Sequence, residues 1–175
     1  MEREDGELIG AIVLAAGEGT RISALTQALY GHPVPKQFAA FGGDRTFLQQ
    51  TLDRIAPLVP IERTVVVVAD HHADLAAQQL SAYQGVHVVH QPRNCGTAAG
   101  VLLPLAHLLH RAPDPSRARV VILPSDHHVA RPEILRGSIV EALWALERAP
   151  SRVALVGAVA DRPATGLGWI VPGFG

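Results

Sequence analysis

Short apolar runs alternate with longer amphipathic segments along this chain. This alternation is typical of βαβ units with a mostly parallel sheet. The first run, residues 8–15 (LIGAIVLA), is almost continuously apolar, as expected for a strand that is buried on both faces. Similar runs predict further strands, with a candidate sixth strand at the end of the chain. These strands lie at residues 64–69, 86–89, 120–123, 153–159 and 168–171.

Four amphipathic segments fit between these strands as helices. They are residues 46–58, 70–82, 97–111 and 132–148. Asp70 can cap the second helix, and Pro104 predicts a kink or break in the third. Residues 17–43 are the longest irregular stretch, and they follow the first strand, where open α/β sheets bind ligands. The predicted fold is α/β, a Rossmann-like open, mostly parallel sheet with helices on both faces.

Composition and charge narrow the class of function. A chain of 175 residues that is 48% hydrophobic suits one domain, predicted at residues 8–175 after a flexible tail at residues 1–7. The net charge of -1 favours neither nucleic acid nor an anionic membrane. The sequence contains no run of about 18 apolar residues, so we expect no membrane-spanning helix. The polar N-terminus is unlike a signal peptide, and the single Cys95 forms no internal disulfide, so we expect a cytoplasmic protein.

The residues after the first strand favour phosphate binding. Ala15, Ala16, Gly17 and Gly19 are small enough for the backbone to approach a ligand closely, and successive N–H groups in such a turn can form an anion nest. Arg21 adds a fork of donors suited to phosphate oxygens. The G-x-G-x-x-G and Walker patterns are both absent. This leaves a phosphate site of another kind, or a plain strand-to-helix turn.

Lys36 is the one lysine among fifteen basic residues. Pro33 and Pro35 stiffen the chain before it and preset its direction. A compact ammonium on a stiff loop near an anion nest is a suitable second phosphate ligand. The alternative is a solvated lysine on a proline-rich loop.

Two later segments carry further candidates. Asn94 and Thr97, in QPRNCGTAAG, can contact a base or ribose, or can cap the helix that follows. Asp126, directly after the fourth strand, is a suitable oxygen ligand for Mg²⁺, although a loop or capping aspartate is the alternative. Gly166 and Gly168 precede the candidate sixth strand, where bare backbone can approach a sugar or simply form a turn.

The histidines and Trp144 carry weaker signals. His71 and His72 are adjacent, so we expect their side chains to diverge, and the same holds for the pair at residues 127–128. His107 and His110 share a helical face, but two ligands without a third make a poor zinc site. Trp144 lies on an apolar helical face and is predicted to be in the core.

Together, the motifs LAAGEGTR, PKQF, QPRNCGTAAG, LPSDH and RPATGLGWI resemble those of the sugar-1-phosphate nucleotidyltransferases. The resemblance is strongest to their mannose-1-phosphate guanylyltransferase branch, and it runs from about residue 9 to residue 170. It implies a fold of the nucleotide-diphospho-sugar transferase type. It also implies that an NTP and a hexose 1-phosphate are joined with release of pyrophosphate. GTP and mannose 1-phosphate, which give GDP-mannose, are the favoured substrates, and Mg²⁺ is the implied cofactor.

The resemblance also implies roles for individual residues. Positions matching the family's nucleoside contacts are Ala15, Ala16, Gly17, Asn94, Gly96 and Thr97. Positions matching its triphosphate loop and the partner lysine are Gly19, Thr20, Arg21 and Lys36. Asp126 matches the Mg²⁺-binding aspartate, and Gly166 and Gly168 match a turn near the sugar. The implied catalytic residues are Arg21, Lys36 and Asp126.

Four departures from the family pattern keep other functions open. Ala16 stands where the family usually has glycine, and Ile22 begins a segment unlike its Leu-Trp-Pro. Cys95-Gly96-Thr97 replaces the guanylyltransferase Thr-Ala-Pro, which leaves uridylyl- or thymidylyltransferases as alternatives. Family domains extend further and carry a second metal-binding aspartate, which Asp161 does not match. We therefore expect the N-terminal portion of such a domain, truncated at its C-terminus, with a non-catalytic nucleotide-binding module as the other alternative.

Overall fold

The computed structural model describes residues 9–93, 96–163, 165 and 168–171. The chain divides into two compact units, Met1–Pro132 and Glu133–Gly175. The first unit contains a four-stranded, all-parallel sheet in the order β3-β2-β1-β4. Its strands are β1 (Ile9–Ala15), β2 (Thr64–Ala69), β3 (His87–Gln91) and β4 (Arg119–Pro124). The helices of this unit are α1 (Ser23–Tyr30), α2 (Phe47–Ile55), α3 (Ala73–Leu80) and α4 (Gly96–Arg111).

Helices cover both faces of this sheet, as the sequence predicts. On one face, alternate side chains of β1 and β2, such as Val13 and Val66, pack with α2 and α3 in one apolar cluster. On the other face, Ile12 and Val65 pack against Leu108 of α4. Because successive residues of a strand point to opposite faces, continuous apolar runs are needed to serve both clusters. The predicted α/β fold is confirmed.

The first four predicted strands are present, with ends that differ by one or two residues. The helix predicted to begin at Thr46 forms α2, where Thr46 is the N-cap and exchanges hydrogen bonds with Gln49 in a capping box. The helix predicted at residues 132–148 is α5 (Pro132–Arg148). These elements are specified locally, by buried apolar runs and by capping residues.

Two helix expectations were wrong, and of the kink or break expected at Pro104, the break is absent. Residues 17–43 are not irregular throughout, because they contain α1, which is only eight residues long. Asp70 does not cap α3, because the chain first makes a 3-10 turn (Asp70–His72), and no side chain caps the helix itself. Pro104 does not break α4, which continues through it to Arg111 with Pro104 buried.

The predicted fifth and sixth strands were also wrong. Residues 153–159 and 168–171, in the second unit, form no strand, and Val153 and Val159 are 84% and 98% exposed. A strand needs a neighbour for its backbone hydrogen bonds, and no described segment provides one here. Trp144 is not in the core either. The buried residues of α5 are Ile139 and Leu143. Trp144 follows Leu143 and therefore points about 100° away from it around the helix axis, and it is 47% exposed.

Among the described residues, no helix has both the length and the apolar content required to span a bilayer. The longest described helix, α5, has 17 residues and carries several charged side chains.

Candidate functional site

The site is built where β1 and β4 end side by side. The parallel register pairs Leu14 with Pro124, so the segments after the two strands leave the sheet next to each other. Ser125 fastens them together, because its backbone N–H and its hydroxyl both donate to the Leu14 carbonyl, at 3.2 and 2.6 Å. Ser125 is 1% exposed. This buried contact places Asp126 beside the loop that follows β1.

The loop after β1 packs directly against the lysine segment. Gly19 has a positive φ of 64°, and a Cβ at this position would lie 2.7 Å from the Lys36 backbone nitrogen. Any larger residue would therefore be strained both in its backbone and by this contact. Gly19 brings together two motifs that are well separated in the sequence.

Gln37 is hydrogen-bonded to the same loop, a role that the sequence did not predict. Its side-chain amide donates to the carbonyl oxygens of Ala15 and Gly17, at 2.8 and 2.7 Å, and the residue is 3% exposed. The signal that was available is its place in the PKQF motif, next to Lys36. A long side-chain amide at this position donates to two backbone carbonyl groups at the end of β1 and just beyond it, where the sheet no longer supplies donors.

Replacing Gln37 with leucine is expected to lower the free energy of unfolding by about 1–3 kcal/mol, because two carbonyl groups lose their buried donor. Urea unfolding followed by circular dichroism measures this. The matched control is Gln27→Leu, which removes an exposed hydrogen bond to the Gly31 carbonyl and should change stability by less than about 0.5 kcal/mol. Equal effects of the two substitutions would contradict the positioning role of Gln37.

Lys36 and Asp126 face each other across the site. The Lys36 ammonium lies 3.7 Å from an Asp126 carboxylate oxygen, and the two side chains are 36% and 43% exposed. The ammonium also lies over the Phe47 ring, 5.6 Å from its centroid, and His127 Nε2 approaches the carboxylate at 3.5 Å. A half-exposed ion pair contributes at most about 1 kcal/mol to folding. Both groups therefore remain accessible to a ligand.

A buried arginine supports the segment that carries Asp126. Arg54 of α2 donates from Nη2 to the His127 carbonyl oxygen at 3.2 Å, and the residue is 8% exposed. Burial lowers the pKa of the Arg54 guanidinium. Sequence reasoning missed this contact because residues 54 and 127 are far apart in the chain and lie in no shared motif.

The residues at Asp126 fit an Mg²⁺ ion. Asp126 is a half-exposed carboxylate at the end of a strand, and it already faces a cationic group. Mg²⁺ prefers oxygen ligands, retains several waters and often binds through one or two carboxylates together with substrate phosphates. Within the described residues, the one group of three metal-ligating side chains lies elsewhere, at Glu18, His71 and His72. Asp126 would therefore hold the ion together with the substrate.

Arg21 and Thr20 lie on the same loop, in a 3-10 turn (Thr20–Ile22), and both are exposed. Arg21 forms no ion pair or hydrogen bond with another described side chain. Its location fits contact with a ligand bound at this loop.

The predicted nucleoside contacts lie at the same edge of the sheet. Gly96 and Thr97 are exposed at the start of α4, after β3, and Asn94 lies outside the described residues. Because β2 stands between β1 and β3, the strands that precede these two segments are two strand spacings, about 10 Å, apart. An apolar depression of about 770 Å³ lies beside them. It is lined by Gln91, Pro92, Arg93, Ala99, Leu102 and Leu103.

The predicted sugar contacts belong to the second unit. Gly166 lies outside the described residues, and Gly168 is exposed.

One expectation about the histidines was wrong. The rings of His71 and His72 do not diverge, and their centroids are 4.1 Å apart. The rule of diverging neighbours applies to regular strands and helices, whereas these residues end a 3-10 turn in front of α3.

This chain resembles known proteins in both sequence and fold. The sequence profile of the MobA-like NTP transferase domain matches residues 11–164. The chain is 30% identical over 161 residues to a mannose-1-phosphate guanylyltransferase of Escherichia coli K12, covering 91% of this chain and 32% of that protein. The chain therefore spans about a third of the length of this curated relative.

Two solved structures are similar as well. One, described as a mannose-1-phosphate geranyltransferase from Thermus thermophilus, superposes with a TM-score of 0.66 at 33% identity. The matched region covers 79% of this chain and 38% of the Thermus thermophilus chain. The other is a nucleotidyl transferase from Methanothermobacter thermautotroptrophicus, with a TM-score of 0.57 and 25% identity, covering 75% of this chain and 56% of that one.

Proposed function

Because this chain belongs to the MobA-like NTP transferase domain family, we propose that it binds a nucleoside triphosphate and a hexose 1-phosphate for transfer of the nucleotidyl group. GTP and mannose 1-phosphate are the favoured pair, with GDP-mannose and pyrophosphate as products. The similarity to the E. coli mannose-1-phosphate guanylyltransferase supports this choice of base and sugar.

The observation that carries this proposal is the 3.7 Å approach of the Lys36 ammonium to the Asp126 carboxylate, beside the loop after β1. One cationic group, one oxygen ligand and a set of backbone N–H groups in a glycine-rich loop can bind a polyphosphate together. Arg21 on the same loop adds a second cationic group.

The proposed reaction needs charge neutralisation more than proton transfer. An oxygen of the sugar phosphate bonds to the α-phosphorus, and the bond from that phosphorus to the pyrophosphate oxygen breaks, its electron pair leaving with pyrophosphate. The attacking oxygen is already anionic near neutral pH. Lys36, Arg21 and the loop amides would hold the two anions in line and offset the charge on the phosphate oxygens. Mg²⁺, when held by Asp126, supplies a Lewis acid for these oxygens.

Calorimetry of the 175-residue chain with GTP, UTP and dTTP, each with Mg²⁺, tests the binding step. We expect saturable binding, tightest for GTP. Stronger binding of UTP or dTTP would instead support a uridylyl- or thymidylyltransferase. If none of the three binds, the proposal is wrong.

Pyrophosphate release on addition of mannose 1-phosphate tests the transfer step. With GTP as the nucleotide, we expect faster release with mannose 1-phosphate than with glucose 1-phosphate under the same conditions. A second candidate function is a nucleotide-binding module without turnover, because among the described residues Asp126 belongs to no group of three metal-ligating side chains. Saturable GTP binding with no pyrophosphate release at high protein concentration would support that alternative.

A further inference from the structure

A cluster of three metal-ligating side chains lies next to the proposed phosphate site, and the proposed function does not use it. Glu18, His71 and His72 each offer one ligand atom, and these atoms all lie within 4.8 Å of one another. Glu18 comes from the loop after β1, and the two histidines come from the turn after β2. The cluster therefore joins the segments that follow two neighbouring strands.

The geometry points to a transition-metal site at Glu18, His71 and His72, suited to Zn²⁺ and separate from the Mg²⁺ proposed at Asp126. Two imidazole nitrogens and one carboxylate oxygen form a common three-ligand set for zinc, with a further position left for water. The hard cation Mg²⁺ prefers a set made wholly of oxygens, so it should not compete here.

The contacts already present favour ligation. His71 Nε2 lies 3.2 Å from both carboxylate oxygens of Glu18. Ligand atoms around a tetrahedral zinc ion are about 3.4 Å apart, given zinc–ligand distances of about 2.0–2.1 Å. Since no two of these atoms are more than 4.8 Å apart, no separation in the cluster must close by more than roughly 1.4 Å. Glu18 and His71 have side chains that are 45% and 60% exposed, so they can rotate to achieve this.

His72 supplies an independent indication. It is 8% exposed, and its Nδ1 has no hydrogen-bond partner among the described residues. A buried polar atom without a partner is costly, and a bound ligand is one way to satisfy such a group.

Phe38 limits the movement of the His72 imidazole. The two rings pack edge-on, with centroids 5.6 Å apart, and Phe38 is itself buried. Such packing already restricts rotation of the His72 side chain, so little conformational entropy is lost when the imidazole binds an ion. His72 is thus a preoriented ligand, and the two exposed side chains complete the set.

Titration of the nucleotide-free chain with Zn²⁺, followed by calorimetry, tests this site. We expect one tight site per chain, and the visible absorption of bound Co²⁺ should indicate four-coordinate geometry. Removing one ligand in Glu18→Gln or His71→Ala should weaken binding by about 100-fold or more, since even indirect partners of metal ligands contribute about 10–100-fold. Both substitutions are at exposed positions, so folding should be retained.

The matched control is His90→Ala. His90 is an exposed histidine whose Nδ1 lies 3.9 Å from a carboxylate oxygen of Asp70, a pair that belongs to no three-ligand group among the described residues. Zn²⁺ binding should survive this substitution. Thermal unfolding gives a second readout, because a ligand bound only by the native state raises the midpoint with its concentration. This rise should appear in the unsubstituted chain and in His90→Ala, and not in the other two variants.

Three results would overturn the proposal. One is the absence of a tight Zn²⁺ site in the unsubstituted chain. Another is tight binding that persists in Glu18→Gln or in His71→Ala, which would place the ion at other histidines. The third is loss of binding in His90→Ala. Because no nucleotide is present, none of these results bears on the proposed nucleotidyl transfer.

Discussion

The substitution Asp126→Asn is expected to abolish Mg²⁺-dependent pyrophosphate release. The amide keeps the size of the side chain but carries no charge, and hard divalent cations bind a neutral amide oxygen much more weakly than a carboxylate. The partner of this carboxylate, Lys36 at 3.7 Å, is half-exposed, so removal of the charge should cost little stability. Titration of Mg²⁺ against pyrophosphate release, or against GTP affinity if the chain does not turn over, measures the effect.

The control for Asp126→Asn is Asp161→Asn, at an exposed aspartate of the second unit. That substitution should leave the Mg²⁺ titration unchanged. GTP affinity measured without Mg²⁺ shows whether Asp126 acts through the ion or contacts the nucleotide directly. If Asp126 acts through the ion, the affinity without Mg²⁺ should be unchanged or slightly tighter in Asp126→Asn, because Lys36 is freed from its ion pair. An unchanged Mg²⁺ titration in this variant would contradict the assignment of Asp126.

The second large effect is expected for Lys36→Ala. Its ammonium is a preorganised positive charge beside the loop after β1, and removing one such contact from a transition state costs about 2–4 kcal/mol. We therefore expect kcat/KM to fall by about 30- to 1000-fold. Calorimetry should show weaker GTP binding in the same variant, even where turnover is too slow to measure.

A matched control for Lys36→Ala is Arg45→Ala. Arg45 is also an exposed cation, but its guanidinium pairs with Asp53 at 3.0 Å and lies over the Tyr83 ring, so it already has partners of its own. Its loss should leave GTP affinity unchanged. Lys36→Arg keeps the charge but replaces a compact ammonium with a larger planar group, so it should recover only part of the activity. Near-normal kcat/KM in Lys36→Ala would remove the proposed phosphate role.

The sequence was sufficient for the part of the fold that depends on local patterns. The valine-rich run of β2 and the apolar run of β1 predicted their strands closely, because a strand buried on both faces needs apolar side chains at every position. It failed where an element depends on a partner. Residues 153–159 have the same pattern as β2, yet they form no strand, since the pattern supplies buried side chains but not a neighbour for the backbone.

The candidate site divides in the same way. The types of residue at Gly19, Lys36 and Asp126 predicted anion binding and metal binding from the sequence, since bare backbone and an ammonium suit phosphate and a carboxylate suits Mg²⁺. Gln37 was missed because an amide in a sequence does not reveal which carbonyl groups it will satisfy. Its two acceptors, at residues 15 and 17, are about twenty positions away.

By itself, the sequence determined the four strands, all of the helices around them except α1, and the chemical character of the residues at their ends. These follow from the spacing of apolar positions and from the chemistry of single side chains, which are local properties. Only the tertiary structure decided which of these residues meet. The pairing of β1 with β4 brings Lys36 to Asp126, and the turn after β2 brings His71 and His72 to Glu18. Such contacts depend on strand order and register, which join segments that are distant in the chain.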